Sequence, residues 1–172
     1  MTLALREARP IDRDFLLQVY ASTRADELAQ TGWDADRCAN FVAMQFEAQW
    51  AHYGAQFPQA ELSVIVWQDE QQVQQRIGRL WVDRRAGAIH VLDIAVLAPF
   101  RGRGLGTACL QRLMAEAADK QLPLTIKVEV FNPARHLYER LGFVAEGEHG
   151  VHIAMAWRAL DVNVKEIEDE QA

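Results

Sequence analysis

Apolar residues recur along this chain in two periods. Behind Arg9-Pro10 and Asp12, Phe15, Leu16, Val19 and Tyr20 fall at helical spacing, and Cys38, Val42, Phe46 and Trp50 then repeat every fourth residue, with Phe41 and Tyr53 widening the stripe. Two helices are predicted, the second opening after Asp34 or Asp36, with Thr31-Gly32-Trp33 between them. Strands are predicted at Leu3–Ala8 and, as a hairpin around the polar stretch Asp69–Gln75, at Leu62–Gln68 and Arg76–Val82. Ala88–Leu97 is apolar on both alternating faces except at His90 and Asp93, as in a central strand covered on each side, and Pro99 ends it. Strict alternation puts His90 and Asp93 on opposite faces. The glycine-rich turn Arg101–Gly106 opens a helix to about Lys120, with Leu105, Cys109, Leu113 and Ala117 as its apolar stripe. Leu124–Val130 alternates, with Thr125, Lys127 and Glu129 on its polar side. Asn132-Pro133 caps a short helix to about 141 that Gly142 stops, and two strands follow near Phe143–Glu146 and Val151–Trp157. His149 and His152 flank the last strand, and their spacing puts them on opposite faces, unable to share a metal. The order is α/β with a mixed sheet.

Composition narrows the function. With 172 residues, five Trp and seven Phe, the chain supports one cored domain, read as residues 1–160. A net charge of −6 excludes a broad basic face for nucleic acid. From Asp161 the chain carries Asp161, Glu166, Glu168, Asp169 and Glu170 against Lys165, so residues 161–172 are expected to form an acidic, frayed tail. Cys38 and Cys109 lie on helix stripes and read as core residues; no disulfide framework or zinc spacing appears, so no metal is expected. With no signal-peptide stretch and no apolar run near the roughly 18 residues of a membrane span, a cytoplasmic protein away from membranes is expected.

The strongest chemical signal is the passage from Ile94 through Arg101-Gly102-Arg103-Gly104-Leu105-Gly106 to Thr107, a buried strand leading through glycines into a helix. Backbone N–H groups at such a turn converge, and the helix dipole adds positive charge, which suits phosphate. Arg101 and Arg103 add charged donors. A nucleoside-triphosphate P-loop is excluded, because Gly106-Thr107 lacks the preceding lysine pattern, and GxGxG is not the dinucleotide GxGxxG.

Arg101-Gly102-Arg103-Gly104-Leu105-Gly106 resembles the R/Q-x-x-G-x-G/A pyrophosphate motif of the GNAT superfamily of acyl-CoA N-acyltransferases. Asn132-Pro133-Ala134-Arg135-His136-Leu137-Tyr138-Glu139-Arg140-Leu141-Gly142-Phe143 is similar to its second hallmark, N-P-A-x-x-L-Y-E-x-L-G-F. The resemblance implies a GNAT-like, mostly antiparallel sheet of about seven strands with about four helices on its two faces. It implies an N-acetyltransferase that moves the acetyl group of acetyl-CoA directly to a primary amine of a small molecule or of a protein or peptide. Arg101, Gly102, Arg103, Gly104, Leu105, Gly106 and Thr107 would hold the pyrophosphate, and Ile94, Ala95 and Val96 the pantetheine arm, with the acetyl carbonyl near the Val96 amide. Asn132 would touch that arm or simply cap its helix. Tyr138 would be the acid that protonates the departing thiolate.

An alkyl ammonium with pKa about 10.4 is neutral in about one molecule in 2,500 at pH 7, a handicap of roughly 4.6 kcal/mol, so a base is expected. His90 and Glu129 are the candidates, with Asp93 behind them. The resemblance assigns acceptor choice to about Ser22–Trp33 and Ala145–Gly150. There Asp26, Glu27, Asp34, Glu146 and Glu148 point to a cationic amine. The alternatives are a non-catalytic acyl-CoA-binding module and a transferase of longer acyl groups; relatives commonly form homodimers.

Overall fold

The computed structural model describes residues 2–160, so the acidic segment 161–172 lies outside the described residues. Strand β1 (Thr2–Glu7) leads through a short 3-10 turn into helices α1 (Arg13–Ala29) and α2 (Ala35–Gln56). The meander β2 (Glu61–Gln68), β3 (Gln74–Arg85) and β4 (Ala88–Val96) follows, then α3 (Leu105–Asp119), β5 (Leu124–Glu129), α4 (Ala134–Arg140), β6 (Val144–His149) and β7 (His152–Trp157). All seven strands share one sheet, ordered β1-β2-β3-β4-β5-β7-β6. Only β4 and β5 run parallel; α3 makes the crossover between them. The expected architecture is present. Element ends differ by a few residues, most at β3, which extends to Gln74 and Arg85 where its polar ends pair with Gln68 and Ala88.

Two cores lie on the two faces of the sheet. On one, Cys109, Leu110, Leu113 and Ala117 of α3 and Tyr138 of α4 cover Ile89 and Val91 of β4 and Leu124, Ile126 and Val128 of β5. On the other, Phe15, Leu16, Val19 and Tyr20 of α1 join Val42 and Phe46 of α2 over Val64 and Ala95. Cys38 is only half-buried. Cys109 is fully enclosed, and burial pushes its thiol up to about 11, which keeps it protonated and inert.

Asp12 is not the open helix cap its position suggests. Its carboxylate is fully buried, accepting bonds from Arg6 (2.7 Å to each oxygen), the Arg9 amide (2.8 Å) and Arg76 (3.2 Å). These donors, Arg6 first, hold it far below the usual carboxylate range against the opposing effect of burial. It ties β1, the entry to α1 and β3 together. The pattern of one aspartate before a helix cannot show that two arginines converge on it from two strands.

Candidate active site

The β4–β5 ladder holds only Ile89–Leu124, His90–Thr125 and Val91–Ile126. Beyond it β4 continues along β3 alone and β5 along β7 alone, so the sheet is split. On the split side β4 has no strand partner past Val91, and an extended ligand can take the backbone groups there that side chains leave open. At the apex of the split, Trp81 pairs with Asp93 but Val82 with Val91, making Leu92 a bulged residue. The hydroxyl of Tyr53 in α2 donates to its carbonyl at 3.1 Å. The extra residue inverts the alternation, which corrects the expected placement of His90 and Asp93. Both lie on the α1/α2 face: His90 beside Phe57 (6.0 Å between rings), Asp93 bonded to Arg79, which in turn reaches Gln49 of α2.

Past β4, Gly102 (φ 72°) and Gly104 (φ 74°) take the left-handed conformation that a side chain would strain. Gly104 caps α3 with no side-chain hydrogen bond, and the first helical bond runs from the Ala108 amide to the Gly104 carbonyl at 2.9 Å. The amides of Leu105, Gly106 and Thr107 are thus left to an outside acceptor. A Cβ placed at Gly102, Gly104 or Gly106 would meet nothing within 4 Å, so the space over this helix end is open. These residues fit a phosphate group. Arg101 differs from expectation: its Nε donates to the Val96 carbonyl (2.8 Å) and its Nη2 to the Ser22 carbonyl (3.1 Å) and hydroxyl (3.0 Å). It fastens the end of β4 to α1 instead of facing the loop, while Arg103 lies over the Phe100 ring at 5.5 Å.

Tyr138 stands on the opposite, α3-covered face and is 6% exposed. The end of its helix fixes it. Gly142 (φ 91°) allows the Gly142 amide to reach the Glu139 carbonyl (3.0 Å) and the Phe143 amide to reach the Tyr138 carbonyl (3.0 Å), and the Phe143 ring then packs on Tyr138 at 5.8 Å. Burial first, and the negative charge of Asp93 second, push the Tyr138 phenol up to about 12. Asn132 spends its side-chain oxygen on the Ala134 amide (2.9 Å), the capping role.

The base candidates occupy different ends. His90 bonds Thr125 through Nδ1 (2.8 Å) in the closed part of the ladder, and burial, then Arg85 and Lys127, lower its pKa. Glu129 is exposed on the open stretch of β5, opposite His152. His149 and His152 pair directly across the β6–β7 hairpin and so share a face, contrary to expectation, because they sit on two strands and not one. The acids of the acceptor segments are largely engaged: Asp34 caps α2 at the Arg37 amide (2.8 Å), Glu27 pairs with Arg24 (3.1 Å) and Glu146 with Arg158 (2.6 Å). Among the described residues no three His, Cys, Asp or Glu side chains gather around a metal position, and no helix is long and apolar enough to cross a membrane.

A mixed sheet split between two parallel strands, with an uncapped helix end past the split, is a geometry suited to a long phosphate-bearing ligand. Residues 60–145 match the family described as Acetyltransferase (GNAT) domain, and the chain belongs to the GNAT family. It is 33% identical over 136 residues to a mycothiol acetyltransferase of Corynebacterium aurimucosum, a match that covers 71% of this chain and 40% of that protein. The chain therefore spans less than half the length of this curated relative. In fold it resembles a PaiA N-acetyltransferase of Thermoplasma acidophilum, solved in complex with coenzyme A (TM-score 0.67, 13% identity, 92% of this chain and 100% of that one). It also resembles an acetyltransferase of Thermus thermophilus (TM-score 0.62, 20% identity, 92% of this chain and 98% of that one).

Sequence reasoning missed Arg79, Gln49 and Tyr53, which make the hydrogen bonds between α2 and the sheet around Leu92 and Asp93. A signal existed for the first. Arg79 is the one charge inside the run Ile77–Val82, where a central strand carries apolar residues.

Proposed function

We propose that the protein transfers the acetyl group of acetyl-CoA directly to a primary amine. One observation supports this reading: past the split, β4 has β3 on one side alone, so its Ile94–Val96 stretch offers an edge suited to a pantetheine arm, and it leads into a free helix end suited to pyrophosphate; Tyr138 is proposed as the acid. Acetyl-CoA would lie with its phosphates on Gly102–Thr107. The amine would enter from the α1/α2 side, where β5 shows Lys127 and Glu129 to solvent. The amine nitrogen forms a bond to the thioester carbon, the carbon–sulfur bond breaks, and a base takes the proton lost from nitrogen. Glu129 is supported for that role by its open position on the acceptor side; His90, tied to Thr125, is the reserve. The sulfur leaves as a thiolate and receives the Tyr138 proton. With a pKa of about 12 the phenol is protonated at neutral pH, and the burial that raises it raises an enclosed thiolate as well, so the two stay near balance. Direct transfer requires no metal and no cysteine nucleophile.

The test is coenzyme A release with acetyl-CoA and a panel of amines, peptides and aminoglycosides, with products read by mass spectrometry. An acetylated product is expected, and Tyr138→Phe should lower kcat by about a hundredfold or more with little change in coenzyme A affinity. Binding of coenzyme A without turnover on any amine would turn the reading to a binding module. An undiminished Tyr138→Phe would remove the acid assignment.

A further inference from the structure

Between α1, α2 and the sheet lies a polar layer that neither the phosphate loop nor Tyr138 uses. At its centre is Arg79, opposite Ala95 and 1% exposed. Its Nε donates to Asp93 Oδ2 at 2.6 Å and its Nη2 to Gln49 Oε1 at 2.8 Å, its guanidinium lies 5.5 Å from the Tyr20 ring centroid, and its Nη1 is buried without a partner. A buried ion pair is a poor way to gain stability, since apolar residues of the same volume do as well or better. A buried donor left unpaired is a further cost. The pair is therefore placed for something other than folding.

Its direction shows what. Asp93 follows the bulged Leu92 directly, one residue past the bulge and two past the last β4–β5 pair at Val91. The bulge turns the carboxylate to the α1/α2 side at the lip of the split, where it keeps 22% exposure while Arg79 has almost none. Only Oδ2 takes the Arg79 Nε bond, so the guanidinium fixes the group and leaves Oδ1 without a hydrogen bond among the described residues. Arg79 offsets part of the carboxylate's charge, while the next cation on α1, Arg24, is paired with Glu27.

We propose that Asp93, held by the buried Arg79, is the carboxylate that receives the acceptor's ammonium group at the break in the sheet, so that acceptors are selected as cations. This rests on the acetyltransferase reading. An alkyl ammonium is the complement of such a group: it donates up to three hydrogen bonds, and a charge-assisted bond to a fixed carboxylate outweighs what a neutral hydroxyl can offer. Arg79 is a positioning residue and Asp93 a specificity residue; the proton is still removed elsewhere.

The experiment titrates the protein, saturated with coenzyme A, with phenethylamine and with its neutral counterpart 2-phenylethanol at pH 7, by calorimetry. The wild type should bind the amine about tenfold more tightly than the alcohol, the worth of one charged hydrogen bond. Asp93→Asn should erase that difference and leave the alcohol and coenzyme A affinities nearly unchanged. Because a lone buried charge endangers folding, the partner variant is the double change Arg79→Met with Asp93→Leu, which should keep the melting temperature and coenzyme A affinity yet show no preference for the amine. A wild type with no preference, or a preference that survives in both variants, overturns the assignment while coenzyme A binding upholds the acetyltransferase reading. Failure to bind coenzyme A overturns both.

Discussion

Gly78 is the position where one added methyl should disturb both stability and cofactor binding. It is buried in β3, opposite Val96, beside the register shift that leaves Ile77 unmatched against β2. A Cβ there would lie 2.2 Å from the Ala95 carbonyl oxygen, 3.1 Å from the Val96 Cα and 3.2 Å from the Ala95 carbonyl carbon. An ordinary carbon–oxygen contact is about 3.4 Å, so the strands would have to part by roughly 1 Å. Every obstructing atom is backbone, and no rotamer relieves it. Overpacking of this kind costs about 1–3 kcal/mol, and a forced separation within a ladder falls at the upper end. Alanine recovers at most about 1 kcal/mol by restricting the unfolded chain. The steric effect wins by about 2 kcal/mol, which for a domain of this size lowers the melting temperature by roughly 4–8 °C. Because the displaced residues are those proposed to hold the pantetheine arm, coenzyme A affinity should also fall, by about tenfold or more. Scanning calorimetry and a coenzyme A titration of Gly78→Ala measure both. Gly106→Ala is the control: its Cβ meets nothing within 4 Å, and its stability should hold within about 0.5 kcal/mol. A Gly78→Ala protein that melts with the wild type and binds coenzyme A equally well would refute the reasoning.

Gly142→Ala forces a side chain into φ 91°, and should cost about 1–2 kcal/mol and lower kcat more than it raises KM, since the turn it supports positions Tyr138; unchanged kinetics would refute that coupling. Asp12 has a folded pKa held far below its unfolded value of about 3.9, so its contribution to stability is complete above that value and is lost as pH falls below it. Asp12→Asn should therefore be less stable at pH 7 by about 2–4 kcal/mol and lose less further stability between about pH 4 and 2 than the wild type, as urea melts at a series of pH values would show. Arg101→Ala should lower coenzyme A affinity by no more than about threefold, because its donors are already engaged at Val96 and Ser22, while costing about 1 kcal/mol of stability. A hundredfold loss in that titration would show that Arg101 turns to the phosphates after all.

The sequence was most informative where function depends on local backbone geometry. A glycine-opened helix end needs particular residues at fixed offsets, and so does a helix closed by Gly142 with an aromatic after it, so Gly102–Thr107 and Tyr138 were legible as written. Period-two and period-3.6 patterns likewise gave the order of strands and helices, because burial of one face imposes them. What no pattern contained was how far β4 and β5 stay paired. Nor did any pattern show the one extra residue at that point, Leu92, which carries no mark in a run of apolar residues yet inverts the side chains after it and turns Asp93 to the α1/α2 side. Partners distant in the chain were equally hidden: Arg101 on Ser22, Arg79 on Asp93 and Gln49, Arg6 and Arg76 on Asp12. The chain alone singled out the groups proposed to bind phosphate and to give a proton. The tertiary structure decided which charges remain free to meet a ligand, because a guanidinium turned to partners within the fold, as Arg101 is to Val96 and Ser22, has little left to offer one.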